Sequence, residues 1–238
     1  MKKIILLICF TIIMTIPINK VNAMVDNSSE TGLSKIEDKE NKTSNDNTHL
    51  NDFKIDFNPI QPQRYFTTQM EVNPVKQDRN YYCGYAAVKA IIHYLNGSSK
   101  TQYEYASELG HPNSAVSLSE MVTLLNRYTS KNYTTKIGNQ FTLSSFVSTI
   151  ENSVTKNMPV VVFATTDTLA MYNGKKLYHY IVATGYTMSM VDEYNRRIIY
   201  IDSWSADYGS GDTFGKHVDT KENVFGTFKT DTAASLAF

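Results

Sequence analysis

The chain is 238 residues long, with 23 Lys+Arg against 23 Asp+Glu, and is 42% hydrophobic and 12% aromatic. This is globular composition without a basic excess, which argues against nucleic-acid or anionic-membrane binding as the main activity. Two cysteines, 11 Gly and 6 Pro exclude a disulfide-rich scaffold, a four-thiolate zinc site and a fibrous chain.

In chain order, Met1-Lys2-Lys3 is a basic start, Ile4 to Ile18 is an apolar run of 15 residues, and Val21-Asn22-Ala23 is a small-residue cleavage signal. Residues 1–23 are therefore predicted to be a secretory signal peptide. The run is short of the roughly 20 residues that a membrane span needs. The expected product is extracellular, has no stable membrane anchor after cleavage, and keeps one thiol, Cys83. Residues 24–62 are predicted to be a disordered polar linker or propeptide. Within 24–60, 25 of 37 residues are Asp, Glu, Lys, Asn, Ser or Thr, and 8 acidic against 4 basic residues give net −4. Such a segment buries too little surface to offset its ordering entropy. Residues 63–238 are expected to form one domain.

The first half of that domain has helical periods. Cys83 to Leu95 places Ala86, Ala87, Ala90, Ile91, Tyr94 and Leu95 on one stripe. A short helix near Tyr103 to Leu109 stops at Gly110. Ser117 and Glu120 have capping-box spacing ahead of Met121, Val122, Leu124 and Leu125. Thr142 can cap a helix that puts Leu143, Phe146, Val147 and Ile150 on one face. The second half reads as strands at 159–164, 178–185, 197–202 and 224–228, with 191–196 as the turn between the second and third. Helices followed by antiparallel strands predict an α+β domain, with N-terminal helices packed on an antiparallel sheet.

Cys83 begins a helical pattern, and the positive end of a helix favours thiolate, the nucleophilic form. A lone cysteine can equally be a buried structural residue. A nucleophile needs a base. His93 lies ten residues further along the same helix, about 15 Å away and out of reach. His49 lies in the polar segment, His111 in a loop, and His217 after a glycine loop. His179 sits in a strand pattern and shares a face with Ile181 and Ala183, so it points towards the core, either as a satisfied core residue or as a rigid base. Asp202 ends the next strand, where it can bond the imidazole or simply cap a turn. Trp204, the only tryptophan, can shield that pair. Gln77, six residues before Cys83, can donate to an oxyanion beside the Cys83 N–H.

Taken together, Gln77-x5-Cys83-Gly84-Tyr85-Ala86-Ala87, His179-Tyr180-Ile181-Val182-Ala183-Thr184-Gly185-Tyr186 and Ile201-Asp202-Ser203-Trp204 resemble the papain-like cysteine peptidases of the bacteriocin-processing (double-glycine-leader) superfamily, in their stand-alone secreted C39-like branch. Tyr85 and Ser203 stand where that family most often has Pro, and on the sequence neither departure touches a proposed catalytic group. The resemblance implies a papain-like fold over roughly residues 65 to 230, with Cys83, His179 and Asp202 as the triad and Gln77 in the oxyanion hole. It implies no metal or organic cofactor, and a peptide or protein substrate. The 23-residue step from His179 to Asp202 predicts an extended hairpin. Other readings are a cell-wall amidase or endopeptidase, an acyl transferase using the same thioester, and a non-catalytic peptide-binding module.

Overall fold

The computed structural model describes residues 65–189, 195–208 and 211–238. The signal peptide, the whole of the polar segment and most of the 191–196 turn lie outside the described residues.

Strand β1 (Tyr65–Gln69) precedes helices α1 (Cys83–Asn96), α2 (Gln102–Glu108) and α3 (Leu118–Tyr128). Strand β2 (Thr135–Ile137) and helix α4 (Leu143–Thr155) follow. Local chemistry sets these helix ends. Capping boxes begin α2 at Thr101 with Glu104, α3 at Ser117 with Glu120, and α4 at Thr142 with Ser145. Each satisfies two N–H groups that a helix start leaves without partners. Helix α1 ends at Gly97, whose φ of 76° is left-handed and suits glycine.

The second half holds β3 (Val160–Thr165), β4 (Tyr178–Ser189), β5 (Arg196–Asp202), β6 (Gly215–Thr220), α5 (Lys221–Gly226) and β7 (Ala234–Ala237). The sheet order is β2-β7-β3-β4-β5-β6, every pair is antiparallel, and β1 also pairs with β4. The fold is α+β, as expected from the sequence. The long β4–β5 hairpin accounts for the wide His179 to Asp202 spacing.

One predicted strand is wrong. Residues 224–228 are not a strand: α5 covers 221–226, its cap Thr220 accepts from the Asn223 N–H, and the strand of this region is the preceding β6. The apolar residues Val224 and Phe228 pack into the core with Phe146, and that burial outweighs their β propensity. Strands β1, β2, β6 and β7 carry too little alternation to be legible.

The sheet is buried on both faces. On one, α1 and α3 pack on Val161, Tyr180, Val182 and Ile201. On the other, α4 and α5 cover Val160, Val162, Ile181, Ala183 and Tyr200. The Cys83 helix therefore lies against the face of Tyr180 and Val182, whereas Ile181 and Ala183, which alternate in step with His179, face the other cluster. Alternation cannot distinguish two buried faces. His179 is the second residue of β4, at the end of the sheet, so its ring can still meet a thiol arriving from the α1 side.

Gly84 allows this close approach. A Cβ there would overlap Val116 Cγ1 and lie 3.2 Å from Tyr180 Cδ2. Gly→Ala inside a helix normally gains about 0.5–1 kcal/mol, whereas overpacking costs about 1–3 kcal/mol. Gly84→Ala is therefore expected to lower the melting temperature; one equal to the parent's would mean that α1 shifts freely.

Candidate active site

The nucleophile candidate is the first residue of α1. The first turn of α1 contains no acidic residue, and the cap, Tyr82, supplies no side-chain hydrogen bond. Nothing there competes with a thiolate for the helix's positive end. The Cys83 sulfur also interacts with the backbone of Gly84 and of Tyr180.

His179 and Asp202 come together at the end of the sheet. His179 Nε2 lies 2.8 Å from Asp202 Oδ1, and their side chains are 1% and 0% exposed. Nδ1, the remaining ring nitrogen, has no well-aligned hydrogen bond at rest, while Cys83 interacts with the ring both through hydrogen bonding and by charge. Such hydrogen bonds are often loose before substrate arrives. Trp204 stands edge-on to the imidazole, with centroids 5.8 Å apart and planes at 87°.

Charge is separated across this line. Burial pushes the Cys83 thiol up, but the charge and hydrogen bond of His179 and the backbone contacts outweigh it, leaving its pKa below the usual thiol value. Burial opposes the imidazolium too. The Asp202 carboxylate and the Cys83 thiolate outweigh that opposition and raise His179 to about 10. Burial likewise raises Asp202, and His179, the Trp204 N–H and Tyr172 bring it below the usual carboxylate range. The charged forms of thiol and imidazole therefore favour one another.

Alkylation of Cys83 by iodoacetamide is expected to rise through a midpoint well below the free-thiol value of about 8.5. His179→Ala should move that midpoint upward, because burial then acts unopposed. A parent midpoint at or above 8.5, unchanged in the variant, would rule out the ion pair.

Asp202 has partners that the sequence did not reveal. The Tyr172 hydroxyl donates to Oδ2 at 2.7 Å, Thr213 Oγ1 lies 3.2 Å from the same oxygen, and the Trp204 N–H donates to Oδ1 at 2.8 Å. No sequence pattern marks Tyr172 or Thr213, since they reach the carboxylate from 30 and 11 residues away.

Gln77 is 1% exposed and joined to the residue after Asp202. Its N–H donates to the Ser203 carbonyl at 3.1 Å, and the Ser203 hydroxyl donates to Gln77 Oε1 at 3.3 Å. Gln77 Nε2 donates to the Arg79 carbonyl at 2.8 Å. Ser203 therefore does contact a candidate site residue, which corrects the sequence reading. A proline there would lack the hydroxyl. Tyr85, the other departure, is fully buried with its ring 4.8 Å from that of Tyr82.

The other histidines among the described residues lie elsewhere. His93 is exposed on α1, His111 pairs with Glu120 at 3.3 Å, and the His217 ring faces Tyr200. Asp219 accepts the Ala170 N–H at 2.7 Å and the Asn223 amide. Among the described residues, no helix is long and apolar enough to cross a membrane, and no His/Cys/Asp/Glu group could hold a metal ion.

The family model described as "Peptidase_C39 like family" matches residues 69–230. That span contains Gln77, Cys83, His179 and Asp202. No curated protein matches the chain. Twenty-four chains of solved structures match. One, from Plasmodium falciparum, is titled "Crystal Structure Analysis of SERA5E"; it is 13% identical, with a TM-score of 0.44 over 64% of this chain and 84% of that one.

Proposed function

Because the chain belongs to the Peptidase_C39-like family, whose fold is papain-like, we propose that it is a thiol hydrolase that cuts peptide or isopeptide bonds through Cys83, His179, Asp202 and Gln77. The observation that carries this reading is the buried line of thiol, imidazole and carboxylate, in which the thiol is lowered and the imidazole raised.

The Cys83 thiolate attacks the carbonyl carbon and forms a tetrahedral adduct. The Gln77 amide and the Cys83 N–H donate to its oxyanion. The C–N bond breaks as the imidazolium gives its proton to the leaving amine, and a thioester remains on Cys83. His179, now neutral, takes a proton from water, whose oxygen attacks the thioester. Collapse of that adduct releases the acid and restores thiolate and imidazolium. Asp202 orients the ring and stabilises its charge at both stages. None of these steps calls for a metal or an organic cofactor.

The reading extends to export: the basic start, apolar run and cleavage signal of residues 1–23 support an extracellular enzyme acting on peptides or proteins. The test is incubation of the protein with an activity-based thiol probe and a peptide library, in parallel with Cys83→Ala. Cleavage and labelling that vanish together in the variant support the reading. Labelling of Cys83 with no cleavage of any peptide favours the binding module.

A further inference from the structure

We infer that Tyr172 and Thr213 extend the triad, as positioning residues that fix the Asp202 carboxylate so that only Oδ1 is presented to His179. This rests on the hydrolase reading above.

An ionised carboxylate has about four acceptor sites. At Asp202, Oδ1 meets His179 Nε2 and the Trp204 N–H, both at 2.8 Å. Oδ2 meets the Tyr172 hydroxyl at 2.7 Å and Thr213 Oγ1 at 3.2 Å, and the two hydroxyls are themselves 3.1 Å apart. Tyr172, Thr213 and Asp202 are 6%, 4% and 1% exposed. Four groups thus meet one buried carboxylate, and its two oxygens have different partners. A carboxylate held by His179 alone could turn about its Cβ–Cγ bond and exchange oxygens. Here turning would break the bond from Tyr172.

The two hydroxyls come from separate segments, and each segment has its own anchor. Tyr172 ends a 3-10 turn, Ala170–Tyr172, in the β3–β4 connection. Asp219, in β6, fixes that turn by accepting the Ala170 N–H at 2.7 Å. Thr213 lies just before β6, and its carbonyl is 2.5 Å from His217 Nε2. Plain packing would be served as well by Phe and Val, and only the hydroxyls reach the carboxylate. Burial and the nearby Asp202 charge keep the Tyr172 phenol protonated, so it stays a donor. Both residues act on the reaction through Asp202 alone.

The test is a double-mutant cycle read by turnover of p-nitrophenyl acetate, an acyl donor that requires no knowledge of the peptide substrate. Tyr172→Phe and Thr213→Val are each expected to lower kcat about 10-fold or more with KM little changed, as misplacement of a catalytic group does. Cys83 alkylation should persist in both, and Thr213→Ser should restore turnover. In an Asp202→Ala background, Tyr172→Phe should cost less than about twofold, because no carboxylate is left to position. An equal loss in the two backgrounds, or a Thr213→Ser variant as slow as Thr213→Val, would overturn the inference. If Tyr172→Phe unfolds, the Val and Ser variants of Thr213 decide the question alone. A parent protein that turns over neither ester nor peptide overturns the hydrolase reading itself, whereas an active parent with an additive cycle overturns only this inference.

Discussion

Asp202→Ala is expected to lower kcat/KM by about 10⁴-fold, the order seen when the carboxylate of a catalytic triad is removed. The imidazole then loses both its orienting acceptor and the charge that stabilises imidazolium. Asp202→Asn should be far milder, with a loss of about 10-fold. Sequence reasoning alone points the other way, because an amide beside an imidazole can impose the wrong tautomer. The structure reverses that expectation. His179 Nε2 and the Trp204 N–H both approach Oδ1, so an amide is driven to place its oxygen there. Its NH2 group then faces the Tyr172 and Thr213 hydroxyls, both of which can accept. The tautomer survives, and what is lost is the difference between a charged and a neutral acceptor. Steady-state kinetics of the two variants, with melting curves to exclude unfolding, would check this. Equal losses in Ala and Asn would show that charge, not orientation, is the main contribution of Asp202.

Gln77→Ala should lower kcat by about 10²–10³-fold with little change in KM, because an oxyanion donor acts only near the transition state. The thiol should still alkylate, since Gln77 is not part of the base system. The amide has a defined orientation: Oε1 accepts from Ser203, and Nε2 already donates to the Arg79 carbonyl at 2.8 Å. One N–H of that nitrogen is thus used within the protein, and the second is the proposed donor. Gln77→Glu is the companion variant. It keeps the side-chain shape but puts negative charge where the donor stood, so its turnover should fall at least as far as that of the Ala variant. Loss of labelling together with turnover would indicate misfolding, and wild-type turnover in both variants would make Gln77 an ordinary buried residue.

How far the sequence reaches follows from the range of the physics. The helix starts at Ser117 and Thr142 are legible because a cap is a contact between residues three apart in the chain. The central strands β3, β4 and β5 are legible because strands buried on both faces read as apolar runs. The short strands β2 and β7 each have only a few residues and little pattern, and they form because they find each other across the fold. Residues 224–228 resemble a strand by composition, yet α5 forms there because Val224 and Phe228 have an apolar cleft beside Phe146 to fill.

The same division applies to the site. The sequence alone determined the residue types and their order: a cysteine at a helix start, a histidine in one strand, an aspartate at the end of the next, and a glutamine six residues before the cysteine. The tertiary structure decided which face α1 covers, that Ser203 holds Gln77, and that Tyr172 and Thr213 grip Asp202. Periodicity says only that a side chain points inward, and it cannot name a partner 30 residues away. That partner is chosen when the two segments pack, because a buried carboxylate must find hydrogen-bond donors wherever the fold brings them.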